Sequence, residues 1–232
     1  MQRACLRIPQ RAFCFSRLHE RRLREAGLAD VTLLEGQYAG GLEPAPPVPS
    51  EPVVVFAGRL IPEKRAPSLV PAVAEARRRL PELRLEIYGD GPDLAAIRLQ
   101  IGGEEWATAP GFVEAERIEA ALGRALCLAL PSRREGYGLV VVEAAARGVP
   151  SVVVRGNDNA AAELVEESVN GTVAASASPE DLAEAIRRVE AAGPALREAT
   201  AAWFRRNAVR LSLDRSLDVV LAAYGSKYDR TP

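Results

Sequence analysis

Two glutamates separated by seven residues, Glu135 and Glu143, lie in the segment of the sequence that is richest in chemistry. Glu135 follows the apolar run Ala125–Leu130 and precedes two glycines, Gly136 and Gly138. Glycines let backbone N–H groups come close to a ligand, and N–H groups at the start of a helix favour an anion. We therefore expect a loop at which a carboxylate and backbone donors meet a polar ligand.

The second glutamate, Glu143, falls within a predicted helix between Val140–Val142 and Ala144–Ala146. A buried carboxylate without a hydrogen-bond donor is costly, so this side chain needs a partner. Helix geometry leaves two partners open. One is a ligand hydroxyl, and the other is an ion pair with Arg147, four residues further on a solvated face.

Two cations follow another predicted strand. Gly58, Arg59 and Lys64 come after the apolar run Val53–Ala57. Arginine offers a planar fork for phosphate oxygens and lysine offers a compact positive charge. These residues predict an anion site, and the alternative is an exposed basic loop with Glu63 as the partner.

Two further glycine-containing turns follow predicted strands. Gly89–Pro92 lacks the spacing of the dinucleotide fingerprint, because Leu94 stands where a small residue is needed. A tight structural turn is the favoured interpretation, and NAD binding is disfavoured. Phe112 and Val113 follow a glycine in the next such loop. They could border a nucleotide base, and a buried turn is the alternative.

The elements that must position these residues alternate regularly from residue 53 onwards. The predicted strands are 53–57, 83–88, 106–108, 125–130 and 151–154, and the predicted helices between and after them are 69–80, 94–101, 114–123, 139–147 and 160–167. Continuous apolar strands alternating with helices are typical of a parallel sheet covered on both faces. Right-handed crossovers make this a doubly wound α/β domain, in which ligands bind beyond the carboxyl ends of the strands.

Composition excludes several classes of protein. The 30 Lys+Arg balance 31 Asp+Glu, so no charge excess is available to hold nucleic acid or anionic lipid. A single histidine, His19, leaves few ways to build a Ser-His-Asp triad or a His/Cys zinc site. Three cysteines without a C-x-x-C pair suit a reducing compartment, and no apolar run reaches the roughly 18 residues of a membrane span. We expect a cytoplasmic protein with no transmembrane segment.

Taken in order, these motifs resemble the retaining GT-B glycosyltransferases of family 4 (group 1). The matching segments are Gly58-Arg59-Leu60 with Lys64, Gly89-Asp90-Gly91-Pro92, Gly111-Phe112-Val113, the E-x7-E pair Glu135 and Glu143, Ala144–Pro150, Glu163-Leu164-Val165 and Asn170-Gly171. The resemblance implies the Rossmann-like C-terminal half of a GT-B fold, with the N-terminal domain largely absent. Residues 1–36 would be a remnant of the end of that domain and 37–52 the interdomain linker. Residues 53–192 would be the nucleotide-sugar-binding domain and 193–232 the C-terminal helices.

By position, the resemblance also implies a role for each motif. Arg59 and Lys64 would neutralise the donor diphosphate, Glu135 would hold hydroxyls of the donor sugar, and Glu143 would bind the ribose. The implied catalytic residues are Glu135, Arg59 and Lys64. The full implied donor-binding set is Gly58, Arg59, Lys64, Gly89, Phe112, Val113, Glu135, Gly136, Tyr137, Gly138, Leu139 and Glu143.

The implied reaction is transfer of a hexosyl group, with retention, from a UDP- or GDP-linked sugar to an acceptor held by the N-terminal domain. The resemblance implies no metal and no other cofactor, and it implies that this chain is inactive alone. The alternative is a non-catalytic nucleotide-sugar-binding or regulatory module. One departure from the family pattern is Arg65, which replaces the glycine usually found after the lysine.

Overall fold

The computed structural model describes residues 10–228, and Cys5 lies outside the described residues. It forms two units: Met1–Leu42 with Arg206–Pro232, and Glu43–Arg205. Cys14 and Cys127 are buried, and neither forms a disulfide within the described residues. Within the described range, no helix is long and apolar enough to cross a bilayer.

The smaller unit begins with strand β1 (Ala12–Cys14), helix α1 (Arg17–Glu25) and strand β2 (Val31–Leu33). The two strands pair in parallel. Ser16 caps the helix, because its hydroxyl accepts a hydrogen bond from the His19 N–H at 3.2 Å.

The larger unit contains the alternating strands and helices that the sequence predicts. Its elements are β3 (Val53–Ala57), α2 (Leu69–Arg77), β4 (Arg84–Tyr88), α3 (Leu94–Ile101), β5 (Ala107–Gly111), α4 (Ala115–Arg124), β6 (Cys127–Leu130), β7 (Arg134–Glu135), α5 (Leu139–Ala145), β8 (Ser151–Val154), β9 (Asp158–Asn159) and β10 (Gly171–Ala174). Helix α6 (Pro179–Leu211) begins in this unit, and its residues from Arg206 onwards belong, with helix α7 (Leu213–Tyr228), to the smaller unit.

Six of these strands form one parallel sheet in the order β10-β8-β6-β3-β4-β5. The chain runs from β3 outwards through β4 to β5, and then returns to β6 and runs outwards through β8 to β10. The direction of winding therefore reverses between the neighbouring strands β3 and β6. In a doubly wound sheet this switch point opens a crevice beyond the carboxyl ends of the strands, which is where ligands bind.

The central strand β3 shows why the sequence folds in this way. Val53, Val54, Val55 and Phe56 have no exposed surface. A run of apolar residues without alternation requires a strand that is covered on both faces, as a parallel sheet provides. The predicted doubly wound α/β fold is confirmed. The predicted boundaries at 36, 52 and 192 stay predictions.

The predicted helix over 160–167 is shorter in the structure, because only Ala160–Leu164 is helical and forms a 3-10 turn. The Asn159 side chain caps this turn by accepting a hydrogen bond from the Ala161 N–H at 3.2 Å. The backbone returns to extended conformation at Val165, which ends the turn. Strand β10 follows shortly afterwards, and the sequence analysis does not predict it.

Strand β5 is longer than predicted, since it continues to Gly111 and includes Pro110. Proline cannot donate to a ladder but is tolerated at the edge of a sheet, and β5 is an edge strand. Helix α6 is capped at its start by the Ser178 hydroxyl, which accepts a hydrogen bond from the Asp181 N–H at 3.2 Å. It is interrupted at Gly193, whose φ of 59° is not helical.

Candidate functional site

The loops beyond the carboxyl ends of four strands are joined by backbone hydrogen bonds. Gly58 donates to the Tyr88 carbonyl at 3.1 Å, and Gly89 donates to the Gly111 carbonyl at 3.0 Å. These bonds align the ends of β3, β4 and β5. Glu63 accepts from the Arg133 N–H at 2.8 Å, which ties the loop after β3 to the loop after β6.

Glycine is required at position 89 because the backbone of Gly58 approaches it closely, and not because of a ligand contact. The φ of Gly89 is +131°, and a Cβ there would lie 1.8 Å from the Gly58 carbonyl oxygen. Gly91 has the same constraint, because its Cβ would lie 2.3 Å from the carbonyl oxygen of Leu60. These distances favour the interpretation of Gly89–Pro92 as a tight structural turn.

Lys64 and Glu135 form an ion pair across the switch point. Their side chains are only 15% and 13% exposed, so water screens the pair less than it would a surface bridge. Glu135 Oε2 also lies 3.4 Å from the Ser132 hydroxyl. The pair places a cation and a hydrogen-bond acceptor side by side, where a ligand with both phosphate and hydroxyl groups could engage the two of them.

A buried asparagine that the sequence analysis missed holds the Glu135 loop in place. Short strands β7 and β9 pair in parallel, with Glu135 opposite Asn159. The Asn159 amide donates to the carbonyls of Ser132 at 3.0 Å and of Val154 at 2.8 Å. An Asn that follows a predicted strand by only a few residues is the signal that could have identified this support.

Arg59 is exposed and makes no ion pair or hydrogen bond with any residue in the described range. The alternative that the sequence left open, an ion pair with Glu63, is therefore not formed. An unpaired arginine directly after β3 remains available to an anion at the switch point.

Glu143 is half-buried on α5, and no donor within residues 10–228 bonds its carboxylate. The predicted alternative, an ion pair with Arg147, is not formed. Arg147 instead donates to the Glu143 carbonyl at 2.9 Å and pairs with the Glu119 carboxylate at 3.0 Å. Burial raises the pKa of Glu143; the positive charge of Arg147 partly opposes this rise and the negative charge of Glu119 adds to it. A carboxylate in this state is ready to accept hydrogen bonds from ligand hydroxyls.

The apolar and glycine positions of the predicted donor set also lie at this edge. Phe112 is 74% exposed directly after β5, which excludes the buried turn for its side chain, and Val113 beside it is half-buried. Gly136 is exposed, whereas Tyr137 is buried. The remaining two members of the set begin α5: Gly138, with a φ of +98°, and Leu139, which is 36% exposed.

Arg65 adopts a left-handed backbone conformation, with a φ of 51°. This conformation costs a non-glycine residue about 1 kcal/mol. Its guanidinium Nε donates to the Pro131 carbonyl at 2.9 Å, directly after β6. Partial burial and the nearby charge of Arg133 both lower the pKa of Arg65. The side chain thus ties the Lys64 loop to the loop that carries Glu135.

These features define a class: a doubly wound α/β domain with cationic side chains and carboxylates at the carboxyl edge of its switch point. The model of the family described as glycosyl transferases group 1 matches residues 43–205. The chain belongs to this family.

Two curated relatives illustrate the relationship. A GDP-mannose-dependent alpha-(1-6)-phosphatidylinositol monomannoside mannosyltransferase of Mycobacterium tuberculosis is 35% identical over 66% of this chain and 44% of its own length. A D-inositol 3-phosphate glycosyltransferase of Actinosynnema mirum is 32% identical over 78% of this chain and 46% of its own length. The chain thus spans less than half the length of these relatives.

Solved structures confirm the fold. The Anabaena protein HepE in complex with UDP superposes with a TM-score of 0.82 at 21% identity, covering 97% of this chain and 68% of that one. A mutant of TarM from S. aureus, crystallised with UDP and other ligands, gives a TM-score of 0.79 at 18% identity, covering 91% of this chain and 43% of that one. The predicted GT-B relationship is confirmed at the level of fold.

Proposed function

We propose that this chain carries the donor site of a retaining glycosyltransferase and binds a UDP- or GDP-linked sugar at the carboxyl edge of its sheet. The observation that carries the proposal is the Lys64–Glu135 ion pair across the switch point. Few ligands need a cation and a hydroxyl acceptor in direct contact, and a sugar joined to a diphosphate is one of them.

Each remaining part of the donor has a group suited to it. Arg59 has no partner in the described chain and supplies a fork for the diphosphate. The Glu143 carboxylate accepts from the ribose hydroxyls, because no donor of the described chain bonds it. Phe112 and Val113 border the base, with the exposed ring of Phe112 as the apolar surface. Backbone N–H groups in the segment from Gly136 to Leu139 face the sugar and phosphate.

In the proposed reaction, the bond between the anomeric carbon and the diphosphate oxygen breaks as the acceptor oxygen bonds to the same face of that carbon. The electron pair leaves with the diphosphate, and the proton of the acceptor hydroxyl passes to an oxygen of that departing diphosphate. Arg59 and Lys64 stabilise the negative charge that develops on the leaving group. We propose that these two side chains, and not a bound metal ion, neutralise the diphosphate.

The titration described below identifies the nucleotide base of the donor. One relative named above is GDP-mannose-dependent, whereas the two solved structures above contain UDP. Both relatives named above carry inositol phosphates in the names of their acceptors. We propose a phosphorylated or lipid-linked polyol as the acceptor class for the whole protein, and donor binding with little transfer for the 232-residue chain alone.

Calorimetric titration of the chain with UDP, GDP, UDP-glucose and GDP-mannose tests the proposal. We expect saturable binding of one nucleotide family, about tenfold weaker in Glu143→Ala, because loss of a hydrogen bond to a charged acceptor costs about 1.5 kcal/mol. The matched control is Glu82→Ala, an exposed carboxylate ahead of β4 at the opposite edge. Absence of binding to all four ligands, or equal weakening in both variants, would contradict a donor site. Robust transfer by the isolated chain would contradict the proposed inactivity.

A further inference from the structure

Four arginines that the donor-binding set does not include lie beyond the carboxyl ends of the sheet. Arg65 follows the Lys64 loop, Arg133 and Arg134 follow β6, and Arg155 follows β8. Only Arg134 has a carboxylate near it, at 3.6 Å from Asp158. The other three have no ion pair within the part of the chain that the structure describes.

The backbone brings these loops together. The Arg133 N–H donates to the Glu63 carbonyl at 2.8 Å, two residues before Arg65. On the other side, a Cβ placed at Gly156 would lie 3.8 Å from the Arg133 carbonyl oxygen. Arg133 therefore stands between the loop of Arg65 and the loop that begins with Arg155.

This arrangement is unfavourable in the absence of a ligand. Arg65 occupies a strained left-handed backbone, and its guanidinium is fixed on the Pro131 carbonyl within electrostatic range of Arg133. The two like charges repel each other, and no carboxylate of the described residues forms an ion pair with either of them. A bound anion would convert the repulsion into two charge-assisted hydrogen-bonded contacts.

We propose that Arg65, Arg133 and Arg155 form a second anion site beside the donor site, and that this site takes the phosphate group of a phosphorylated acceptor. The site lies on the β6–β8 side of the switch point, next to Glu135, where the donor sugar is proposed to lie. Its assignment to the acceptor rests on the proposed glycosyl transfer. The anion could belong to a free phosphorylated polyol or to a phospholipid headgroup, and both present the same phosphate.

The test uses the 232-residue chain with its donor site filled by saturating UDP or GDP, whichever binds. A soluble inositol phosphate and inorganic phosphate are titrated into it at low salt, with and without the nucleotide. A second arm measures cosedimentation with vesicles of four parts phosphatidylcholine to one part phosphatidylinositol, against phosphatidylcholine alone. Binding to the inositol phosphate identifies a free polyol. Binding that needs the anionic vesicles identifies a headgroup.

The variants are Arg133→Gln and Arg155→Gln, two exposed residues of the proposed anion site. The charge-matched control is Arg79→Gln, ahead of β4 at the opposite edge. We expect each site variant to weaken phosphate binding about tenfold and to leave nucleotide affinity within about twofold, because each removes one charge-assisted contact. The control should match the wild type in both titrations.

Three outcomes would overturn the proposal: no saturable phosphate binding, equal binding in wild type and both site variants, or displacement of the phosphate probe by nucleotide. The last outcome would assign these arginines to the donor diphosphate instead. Failure of the proposed function has a different signature, which is the absence of nucleotide binding by the wild type. Phosphate binding without nucleotide, lost in Arg133→Gln, would still show the anion site in that case.

Discussion

Charged side chains at the two ends of the strands of the six-stranded sheet differ in whether they have partners within the chain. At the amino ends of the strands, Arg124 pairs with Glu51 at 3.1 Å and with Glu86 at 2.7 Å, and Glu51 also holds Arg84. Arg197 donates to the carbonyls of Ala125 and Gly123 at 2.6 and 2.9 Å. Each of these cations has its partners within the chain.

At the carboxyl ends, several charges have no such partner in the described range. Arg59 and Arg133 are exposed and unpaired, and the half-buried Glu143 carboxylate receives no hydrogen bond. The difference indicates that paired charges at the amino ends stabilise the fold, whereas under the proposed function the unpaired charges at the carboxyl ends bind the ligand. Stability and binding should therefore respond to different substitutions.

Replacement of Lys64 by alanine should give the largest effect. We expect about a hundredfold loss of nucleotide affinity, because the change removes a phosphate ligand and leaves the Glu135 carboxylate unpaired beside the diphosphate. Calorimetric titration with UDP or GDP measures it. Arg84→Ala is the control, since it removes the same charge from the opposite edge. Equal losses in the two variants would mean that overall charge, not the site, sets affinity.

Replacement of Arg124 by alanine should show the opposite pattern. We expect the free energy of unfolding to fall by about 2 kcal/mol, because Glu86 is left largely buried without its partner. Nucleotide affinity should not change. Urea denaturation followed by circular dichroism checks the stability, with Arg59→Ala as a control that should unfold like the wild type. If Arg59→Ala destabilises the chain as much as Arg124→Ala, the contrast between the charges at the two ends of the strands is contradicted.

Glu143→Gln should separate stability from binding within one residue. The neutral amide avoids the cost of a half-buried charge, so we expect the free energy of unfolding at neutral pH to rise by less than about 1 kcal/mol, since water screens the group. We expect nucleotide affinity to fall about tenfold, because the amide is a weaker acceptor for the ribose hydroxyls. Loss of stability in this variant would show that Glu143 has a structural partner.

The same residue sets a pH dependence. Because the pKa of Glu143 is raised above its ordinary value of 4.5 in the folded chain, the folded state binds a proton more readily than the unfolded state. Its contribution to stability therefore falls as the pH rises through the interval between the ordinary and the raised pKa. Nucleotide affinity should change in the other direction, falling as the pH is lowered through the raised pKa. Calorimetric titration with nucleotide at several pH values across this interval checks this dependence. Nucleotide affinity should vary less with pH in Glu143→Gln than in the wild type.

Much of the carboxyl edge of the sheet could be predicted from the succession of strands along the sequence. The bounds of β3, α3 and β8 agree with the predicted segments, and Lys64 and Glu135 meet because their strands are neighbours at the switch point. Apolar runs and turn residues are local signals, so they survive without knowledge of the tertiary structure.

Side-chain partners could not be predicted in this way. Glu143 and Arg147 have the spacing of a helical ion pair, yet Arg147 bonds Glu119, which belongs to another helix. Asn159 supports the Glu135 loop by bonding a carbonyl 27 residues earlier in the chain. The choice among partners depends on which elements pack together, and a pattern within one element does not contain it.

The central claim is tested most directly by mapping backbone amide chemical shifts of the chain during titration with UDP or GDP. We predict the largest changes in segments 58–64, 111–113 and 132–143, and no comparable change at Glu51, Arg84 or Arg124. Changes centred on the amino ends of the strands would contradict the account, because they would place the ligand where the charges are already satisfied.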